Sequence, residues 1–407
     1  MPGAVTGVCE VRMGSADYDV VVVGGGPAGA AAALASVERG AKTLLLERKK
    51  MPRPKPCAGY IFKEAGEFLE RHFPPLPEGI RSRPFHLERV RLYLNSRLYL
   101  DVEERGLSVW RDRFDQWLCE SSGAEIWDRA RLVDFSEWRD RVELVCSRGG
   151  KETRLSSRAL IAADGGLSAV ARRVDPGFIA GVPYICTRHE YHRCETALQP
   201  GVFHVFVDAR YGVYPACYHK DDMMVVDTSV PRGRKIGPAR DAFQAMLRRD
   251  FGFRSREEVR AFGCRSVFPA AVNRFCLGTD RVLVAGEAAG FMNALGEGIS
   301  SALATGYLAG RAAGEAATSP PGALYRESAA AERERTAREW SLLTLLSGGA
   351  RPAFKRAFVR LPAMDKLRFL KGIIAWQRGG GVAPGVRRDS IEVMLRRLLH
   401  GDYNFRA

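Results

Sequence analysis

Three glycines, Gly24, Gly26 and Gly29, form a G-x-G-x-x-G pattern, which is the spacing that holds the diphosphate of a dinucleotide. Gly24 allows a tight turn, Gly26 lets the diphosphate approach the backbone, and Gly29 permits close packing of a helix. That helix begins at Pro27 and Ala28, and its N-terminus presents free N–H groups to the phosphates. The pattern by itself has low specificity, so its interpretation depends on the elements around it.

The residues around the glycines predict a strand–turn–helix–strand unit. The apolar run YDVVVV at 18–23 is typical of a strand buried on both faces, and the Ala-rich residues 27–39 favour a helix. Residues 42–47, KTLLLE, predict a second strand that ends at Glu47. A carboxylate at this position can accept hydrogen bonds from ribose hydroxyls, and we assign the adjacent Arg48 to the same site. The unit is therefore predicted to bind a dinucleotide.

Two later stretches indicate which dinucleotide binds. Both LIAADGGLSAVARR at 160–173 and RVLVAGEAAGFMNALGEGISSALATGYLAG at 281–310 place an acidic residue and glycines after a predicted strand. Together with the first motif and Glu47, they resemble the FAD-dependent reductase and hydroxylase superfamily that includes p-hydroxybenzoate hydroxylase. The resemblance implies that FAD is the cofactor and that the first motif holds its ADP moiety.

The same resemblance assigns three further groups to FAD. The Asp-Gly pair of the first stretch would lie near the pyrophosphate and the nicotinamide donor. GEAAG in the second stretch matches the superfamily's G-D-x-x-G motif at the ribityl chain, with a glutamate in place of the usual aspartate. RDRFD at 111–115 matches an R-x-x-F-D helix whose arginine approaches the cofactor. The residues so implied are Asp164, Gly165, Gly286, Glu287, Gly290 and Arg111.

Within that superfamily, the chain most resembles the geranylgeranyl reductase family. KPCAG at 55–59 is similar to that family's K-P-C-G-G segment, and GEAAGFMNALGEGI at 286–299 to its G-D-A-A-G…GEGI, which adds Gly296, Gly298 and Ile299 to the cofactor site. The ending HGDYNFR resembles the family's G-x-x-S-Y-R. The resemblance places Cys57 beside the flavin as a proton donor, and Lys55 on a cofactor or substrate phosphate. The alternatives are a small buried hydrophobe at Cys57 and a solvated loop lysine at Lys55.

The family covers its substrate pocket with the motif Y-x-W-x-F-P, and the matching residues here are RYGVYP at 210–215. We assign Tyr211, Gly212, Tyr214 and Pro215 to the substrate pocket. Glycine at 212 replaces the tryptophan, which removes a large apolar contact. The substrate is therefore expected to be bulkier, more polar or differently placed than a typical polyprenyl chain.

The predicted fold class is α/β, with a Rossmann-type FAD-binding domain interleaved with an antiparallel β-sheet substrate domain and followed by a C-terminal helical region. Alternating residues at 89–102 predict a hairpin around Asn95 and Ser96, and a second alternating region covers 202–229. We assign 17–84, 108–177 and 271–322 to the FAD-binding domain, 85–107 and 178–270 to the substrate domain, and 323–407 to the helical region. Residues 1–16 are predicted to be a disordered lead-in, with Met13 an alternative start to Met1.

The composition of the chain indicates the class of its partners and its cellular compartment. The 62 Lys and Arg residues against 47 Asp and Glu give a net charge of +15, which favours anionic partners or reflects a basic but inert surface. The 9 cysteines form no C-x-x-C pair, so we expect reduced thiols in a cytoplasmic enzyme. The sequence contains no run of 18 or more apolar residues, so no membrane-spanning helix is predicted. His189 and His192 lack the further ligands of a metal site, and no metal is predicted.

Residues 351–407 carry 13 Lys and Arg against 4 Asp and Glu, interleaved with apolar residues. This pattern predicts either a basic amphipathic helix on an anionic membrane surface, and hence a peripheral membrane protein, or ordinary helices with cationic outer faces. Nucleic-acid binding is not expected, because no nucleic-acid module is recognised.

The leading functional hypothesis is an FAD-dependent reductase of double bonds in a small hydrophobic isoprenoid or other lipid-like substrate. NAD(P)H or another electron donor such as ferredoxin would reduce the flavin. The alternatives are an FAD-dependent monooxygenase of an aromatic or peptide-borne substrate, which oxygen use would reveal, and a non-catalytic flavoprotein. Fold does not choose among them.

Overall fold

The computed structural model describes residues 16–94, 96–293, 296–315 and 319–347. The strands, in chain order, are β1 (Tyr18–Val23), β2 (Thr43–Leu46), β3 (Tyr60–Ile61), β4 (Arg81–Leu94), β5 (Arg97–Val109), β6 (Glu125–Trp127), β7 (Ala130–Glu137), β8 (Val142–Arg148), β9 (Lys151–Ala162), β10 (Tyr184–Glu195), β11 (Val202–Val207), β12 (Ala216–Lys220), β13 (Met223–Pro231), β14 (Arg254–Val267) and β15 (Val282–Val284). The helices are α1 (Pro27–Glu38), α2 (Lys63–His72), α3 (Arg111–Glu120), α4 (Ala169–Val174), α5 (Ile236–Phe251), α6 (Ile299–Glu315), α7 (Gly322–Ser328) and α8 (Ala330–Ser347).

The first sheet is a largely parallel sheet with an antiparallel extension. Its order is β6-β2-β1-β9-β8-β7, and β15 pairs with β9 beyond the end of β8. Strands β6, β2, β1, β9 and β15 are parallel, while β7, β8 and β9 form an antiparallel meander. The valines of β1 are buried because the strand lies in the middle of the sheet. This arrangement positions the carboxyl ends of β1, β2, β9 and β15 along one edge.

Helices α1 and α6 pack closely against each other beside this edge. The contact depends on small residues: a Cβ added at Gly306 would lie 2.1 Å from the carbonyl oxygen of Ala28, and one at Gly310 would lie 2.1 Å from that of Ala32. The Ser36 hydroxyl donates to the Gly310 carbonyl at 3.2 Å. Small residues in both sequence motifs therefore bring the N-terminus of α1 close to the GEAAG turn.

The second sheet has the order β14-β10-β13-β12-β11-β4-β5-β3, antiparallel except for the parallel pair of β4 and β11. The predicted hairpin is the β4–β5 pair, whose strands are longer than the alternation indicated. Helix α5 covers one face of the sheet, where Phe243 and Met246 pack against Met224 and Val226. The alternate residues of β10, β12 and β13 face the other way.

The predicted fold class is confirmed, including helices from 322 onward, while residues 348–407 lie outside the described part of the chain. Two predicted boundaries differ in detail. Ser108 and Val109, which we placed in the FAD-binding domain, extend β5 and pair with the segment that contains Gly59 and Tyr60, so the helix of the RDRFD motif begins only at Arg111. For the same reason β3, which we placed in the FAD-binding domain, joins the second sheet. In the described residues, no helix combines the length and the apolar character needed to cross a membrane.

Candidate functional site

The turn between β1 and α1 has the geometry of a phosphate-binding loop. Gly24 has a φ of +110°, and an added Cβ would lie 2.3 Å from the Ala163 carbonyl oxygen. At Gly29 an added Cβ would lie 1.8 Å from the Gly24 carbonyl oxygen. Gly26 is the N-cap of α1, and no side chain caps this helix end, which begins at Pro27 and Ala28. The turn therefore fits a diphosphate on the N-terminus of the helix.

Glu47 directly follows β2, beside this loop, and is buried. Its Oε2 accepts from the Gly25 backbone N–H at 3.1 Å and from Arg53 Nε at 2.8 Å, and its Oε1 accepts from the Lys49 N–H at 2.9 Å. Since these bonds use part of the carboxylate's capacity, a ribose hydroxyl would share it with Arg53. Arg48 is exposed and makes no hydrogen bond or ion pair within the described part of the chain.

Arg53 is a site residue that the motif comparison missed. Its guanidinium joins three segments, because Nη1 donates to Asp115 Oδ2 at 3.0 Å and Nη2 to the Gly25 carbonyl at 2.9 Å in addition to the bond with Glu47. Asp115 also accepts from Arg111, at 2.8 Å from Nε and 3.1 Å from Nη2. The R-x-x-x-D spacing on α3 signals the second pair, but nothing in the local sequence signals Arg53.

Cys57 lies where the two sheets meet, in a cavity that encloses about 30 Å³. Its Sγ accepts from the Gly59 N–H at 3.4 Å. Burial by itself would raise the pKa of the Cys57 thiol, but the Arg111 guanidinium and the Gly59 N–H outweigh it and lower the pKa. Lys55 is exposed and contributes to the rim. The residues lining the cavity are Pro54, Lys55, Cys57, Val109, Trp110, Arg111, Asp112, Tyr191, Lys220, Arg260 and Phe262.

Lys220 is a second residue that sequence reasoning missed. It lies on β12, is 1% exposed, and donates from Nζ to the Val109 carbonyl at 2.7 Å and to the Ser82 and Ser108 hydroxyls at 3.1 and 3.2 Å. Burial lowers the pKa of Lys220 to about 7. Strand alternation alone does not distinguish a buried lysine from an exposed one at a strand end.

The second and third motifs meet in the tertiary structure. Asp164 Oδ2 accepts from the Ala169 N–H at 2.9 Å, while its buried Oδ1 has no hydrogen-bond partner in the described residues, and burial raises the pKa of Asp164. Glu287 Oε1 is 2.7 Å from where a Cβ of Gly166 would be, next to Gly165. The Glu287 carboxylate makes no hydrogen bond or ion pair within the described residues. These acceptors fit the hydroxyl-bearing part of a dinucleotide.

The GEAAG turn is held against α1. A Cβ at Gly286 would lie 2.7 Å from the Ala28 Cβ, the Gly286 N–H donates to Thr305 Oγ1 at 2.9 Å, and Gly290 ends the turn in a left-handed conformation. The turn and the phosphate loop therefore share one wall of the site.

The N-terminus of α6 is less open than we expected. The motif GEGI places Gly296, Gly298 and Ile299 at the start of the helix, but Glu297 Oε1 accepts from the Ser300 N–H at 2.8 Å and from its hydroxyl at 3.2 Å. Burial raises the pKa of Glu297. The carboxylate thus already compensates part of the positive charge at the helix end where these predicted cofactor residues lie.

The predicted substrate-pocket residues separate in the structure. Tyr214 is 45% exposed. Pro215 immediately precedes β12, and its carbonyl accepts from the Phe206 N–H at 2.8 Å. Tyr211 instead packs against Phe243 under α5, with ring centroids 5.8 Å apart, on the face of the sheet away from the Cys57 cavity. The turn between β11 and β12 places the Tyr211 side chain on the face of the second sheet that α5 covers.

Gly212 has a physical reason to be glycine. Its φ is +115°, and an added Cβ would lie 2.1 Å from the Ser229 carbonyl oxygen, which also accepts from the Val213 N–H at 2.7 Å. No side chain fits at this position, so a tryptophan there would require a different backbone course.

His189 and His192 lie on opposite faces of β10. His189 Nδ1 is 2.6 Å from Asp227 Oδ1 and its Nε2 is 3.7 Å from Cys264 Sγ, whereas His192 Nδ1 is 2.9 Å from Ser255 Oγ. Two residues that are three positions apart along a strand have their side chains on opposite faces.

Comparisons with known proteins agree with the cofactor motifs. The family model for an FAD binding domain matches residues 17–185, which confirms the prediction of FAD. Digeranylgeranylglycerophospholipid reductase 2 of Methanopyrus kandleri is 30% identical over 321 residues, covering 74% of this chain and 78% of that protein.

Two solved structures share the fold. A geranylgeranyl bacteriochlorophyll reductase-like protein from Thermoplasma acidophilum has a TM-score of 0.70 at 16% identity and covers 94% of this chain and 98% of its own. The flavin-dependent halogenase CmlS has a TM-score of 0.65 at 16% identity and covers 94% of this chain and 76% of its own. At this identity the two likenesses show the fold alone.

Proposed function

Because the chain belongs to the geranylgeranyl reductase family of FAD-dependent oxidoreductases, we propose that it reduces carbon–carbon double bonds of an isoprenoid or other lipid-like substrate. The observation that carries the proposal is the Cys57 thiol, held beside Arg111 in a cavity between the cofactor loops and the second sheet. Aromatic side chains of Trp110, Tyr191 and Phe262 line the same cavity and suit a hydrophobic substrate.

The residues of the three motifs would hold FAD. The α1 N-terminus would take the diphosphate, Glu47 the ribose, and Asp164 and Glu287 the hydroxyls of the ribityl region. When bound, FAD supplies the hydride that adds to one carbon of the double bond, and NAD(P)H or another donor renews it.

Cys57 would supply the proton that completes the reduction. Its S–H bond breaks, the proton adds to the second carbon, and the electron pair stays on sulfur as a thiolate. Arg111 and the Gly59 N–H stabilise that thiolate, which is why they lower the pKa of Cys57. A positioned acid of this kind contributes about 10²–10⁴-fold to a rate.

The cavity must widen to admit a substrate, since about 30 Å³ is the share of about one water molecule. The Arg260 guanidinium lies 4.8 Å from the Trp110 ring centroid and 4.5 Å from that of Tyr191. A bound substrate would take over these contacts with the two rings.

The test mixes anaerobically reduced, FAD-loaded protein with a digeranylgeranylglycerophospholipid, and mass spectrometry follows the addition of two hydrogens per double bond. We expect hydrogenated product, with a loss of about 10²-fold or more for Cys57→Ala. Cys194→Ala, a partly buried thiol on the α5 side of the second sheet, serves as the matched control. Equal rates for the two variants would refute the role of Cys57, and absence of hydrogenated product from the wild type would refute the substrate class.

A monooxygenase of the same fold is the second candidate. Gly212, where the family has tryptophan, and the fold shared with a flavin-dependent halogenase favour it. Oxygen consumption coupled to a product that gains one oxygen atom, with no hydrogenation under anaerobic conditions, would establish it in place of the reductase. If the wild-type protein bound FAD but turned over no substrate in either assay, it would be a non-catalytic flavoprotein.

A further inference from the structure

The face of the second sheet opposite α5 carries a buried polar cluster next to the Cys57 cavity. Asp227 on β13 and His189 on β10 are directly paired across the strands. Tyr218 on the neighbouring β12 and Tyr60 on β3 project onto the same face, with their ring centroids 5.6 Å apart. These four residues form what we call the polar cluster.

Two members of the polar cluster form an ion pair. His189 Nδ1 lies 2.6 Å from Asp227 Oδ1. Burial by itself would lower the pKa of His189, but the Asp227 carboxylate outweighs it and raises the pKa to about 10. His189 is therefore an imidazolium at neutral pH, and the negative charge of Asp227 is largely compensated.

The two tyrosine hydroxyl groups make no hydrogen bond of regular geometry in the described residues. Tyr60 is 3% exposed and Tyr218 is fully buried, yet neither hydroxyl has a hydrogen-bond partner in the described residues. Tyr218 pairs across the strands with Val225, which shares its face of β13 with Asp227, so the Asp227 carboxylate neighbours the Tyr218 phenol, and burial together with this carboxylate raises the pKa of both phenols. Neither phenol makes a hydrogen bond of regular geometry with it. An unpaired buried hydroxyl costs stability, which is a reason to look for a ligand that pairs it.

The polar cluster borders the cavity, since Lys220, which lines the cavity, has its Nζ 5.6 Å from the Tyr60 ring centroid. Tyr60 is three residues beyond Cys57, and Tyr191, which lines the cavity, is two residues beyond His189 on the same face of β10. A substrate that reaches Cys57 therefore has the polar cluster beside it.

The chemistry of the polar cluster selects one kind of group. A plain hydrocarbon would leave both phenols unpaired, and an anion would find no uncompensated positive charge in the polar cluster, because the His189 imidazolium already balances Asp227. A neutral hydroxyl can accept a hydrogen bond from a tyrosine O–H and donate its own hydrogen to the carboxylate. We propose that Tyr60, Tyr218 and Asp227 form a hydroxyl-binding subsite, so that the substrate is a hydroxyl-bearing hydrophobe, an alcohol or a phenol. This deepens the proposed function and rests on it only in placing the substrate at the Cys57 cavity.

The test titrates FAD-loaded, full-length protein with two matched pairs of probes and follows the flavin absorbance. The pairs are geranylgeraniol with its methyl ether, and 4-methylphenol with 4-methylanisole. We expect the wild type to bind the hydroxyl compound of a pair about tenfold more tightly than the ether, as the loss of a buried hydrogen bond would give. Tyr218→Phe and Tyr60→Phe should each reduce this preference, and the double variant should abolish it.

Tyr93→Phe is the matched control, because Tyr93 is buried on the α5 face of the same sheet, where its hydroxyl lies 3.0 Å from His204 Nδ1. It should keep the preference. Equal affinity for hydroxyl and ether in both pairs, or a preference that survives the double variant, would overturn the subsite. Preference for 4-methylphenol without binding of either prenyl compound would support the subsite and count against the isoprenoid substrate of the proposed function.

Discussion

Lys220 shows how strongly a single residue can depend on its surroundings. Its Nζ has three hydrogen-bond acceptors and essentially no contact with water. Burial nevertheless lowers its pKa from 10.5 to about 7, because desolvation disfavours the ammonium form. The residue is therefore neutral in the folded chain over a pH range where it is charged in the unfolded chain.

This difference predicts a pH dependence of stability. Between pH 7 and about 10, the unfolded state binds one more proton than the folded state at this residue, so the folded state gains stability as the pH rises. The free energy of unfolding of the wild type should rise relative to that of Lys220→Met by about 1.4 kcal/mol per pH unit in this range. Denaturant unfolding at several pH values measures it.

Lys63→Met supplies the reference, because the Lys63 side chain is 78% exposed and forms a surface ion pair with Glu67. Its difference from the wild type should stay flat with pH. A flat difference for Lys220→Met as well would show that Lys220 keeps its charge inside the fold.

At the scale of elements, the approach of α1 to α6 decides whether the phosphate loop and the GEAAG turn share one site. An alanine at Gly310 would bring its Cβ within 2.1 Å of the Ala32 carbonyl oxygen, so the helices must separate. We expect Gly310→Ala to lower the free energy of unfolding by about 1–3 kcal/mol and to weaken FAD binding, measured by denaturant unfolding and by flavin release.

Gly66→Ala is the contrasting variant. Gly66 lies within α2, and an added Cβ would meet nothing within 4 Å. The substitution should stabilise the protein by about 0.5–1 kcal/mol, because alanine loses less backbone entropy than glycine in a helix. If both variants behaved alike, helix propensity rather than the close contact would govern Gly310.

At the scale of the whole molecule, the net charge of +15 favours anionic partners. We propose that residues 351–407, which lie outside the described part of the chain, attach the protein to anionic membranes. The full chain should cosediment with phosphatidylserine vesicles and not with phosphatidylcholine vesicles, and salt should weaken the binding. Replacing four basic residues by glutamine should cost about 1 kcal/mol of binding per charge. The four are Arg351, Lys355, Arg356 and Arg360.

A second set of four exposed basic residues in the described part of the chain controls for net charge. The set is Arg131, Lys151, Arg232 and Lys235. Equal losses from both sets would mean that overall charge drives the binding, and no binding to anionic vesicles would remove the membrane as a partner.

The sequence by itself determined the local parts of this protein. The G-x-G-x-x-G turn and the β4–β5 hairpin followed from spacing and alternation, because a tight turn or a buried strand places its requirements on residues close together in the chain. The fold class and FAD as the cofactor followed from the resemblance of the three motifs to the FAD-dependent reductase and hydroxylase superfamily. The glycine at 212 was also apparent in the sequence, but the close approach of the Ser229 carbonyl that requires it was not.

Only the tertiary structure decided which distant side chains meet. Strand register brought His189 opposite Asp227, and the packing of separate segments joined Arg53 to Asp115 and buried Lys220 beside Ser108. It also carried Tyr211 to the face under α5. Alternation along a strand tells which residues share a face, but the face that becomes interior depends on elements tens of residues away. The chemistry of the site therefore depends on contacts that no local pattern encodes.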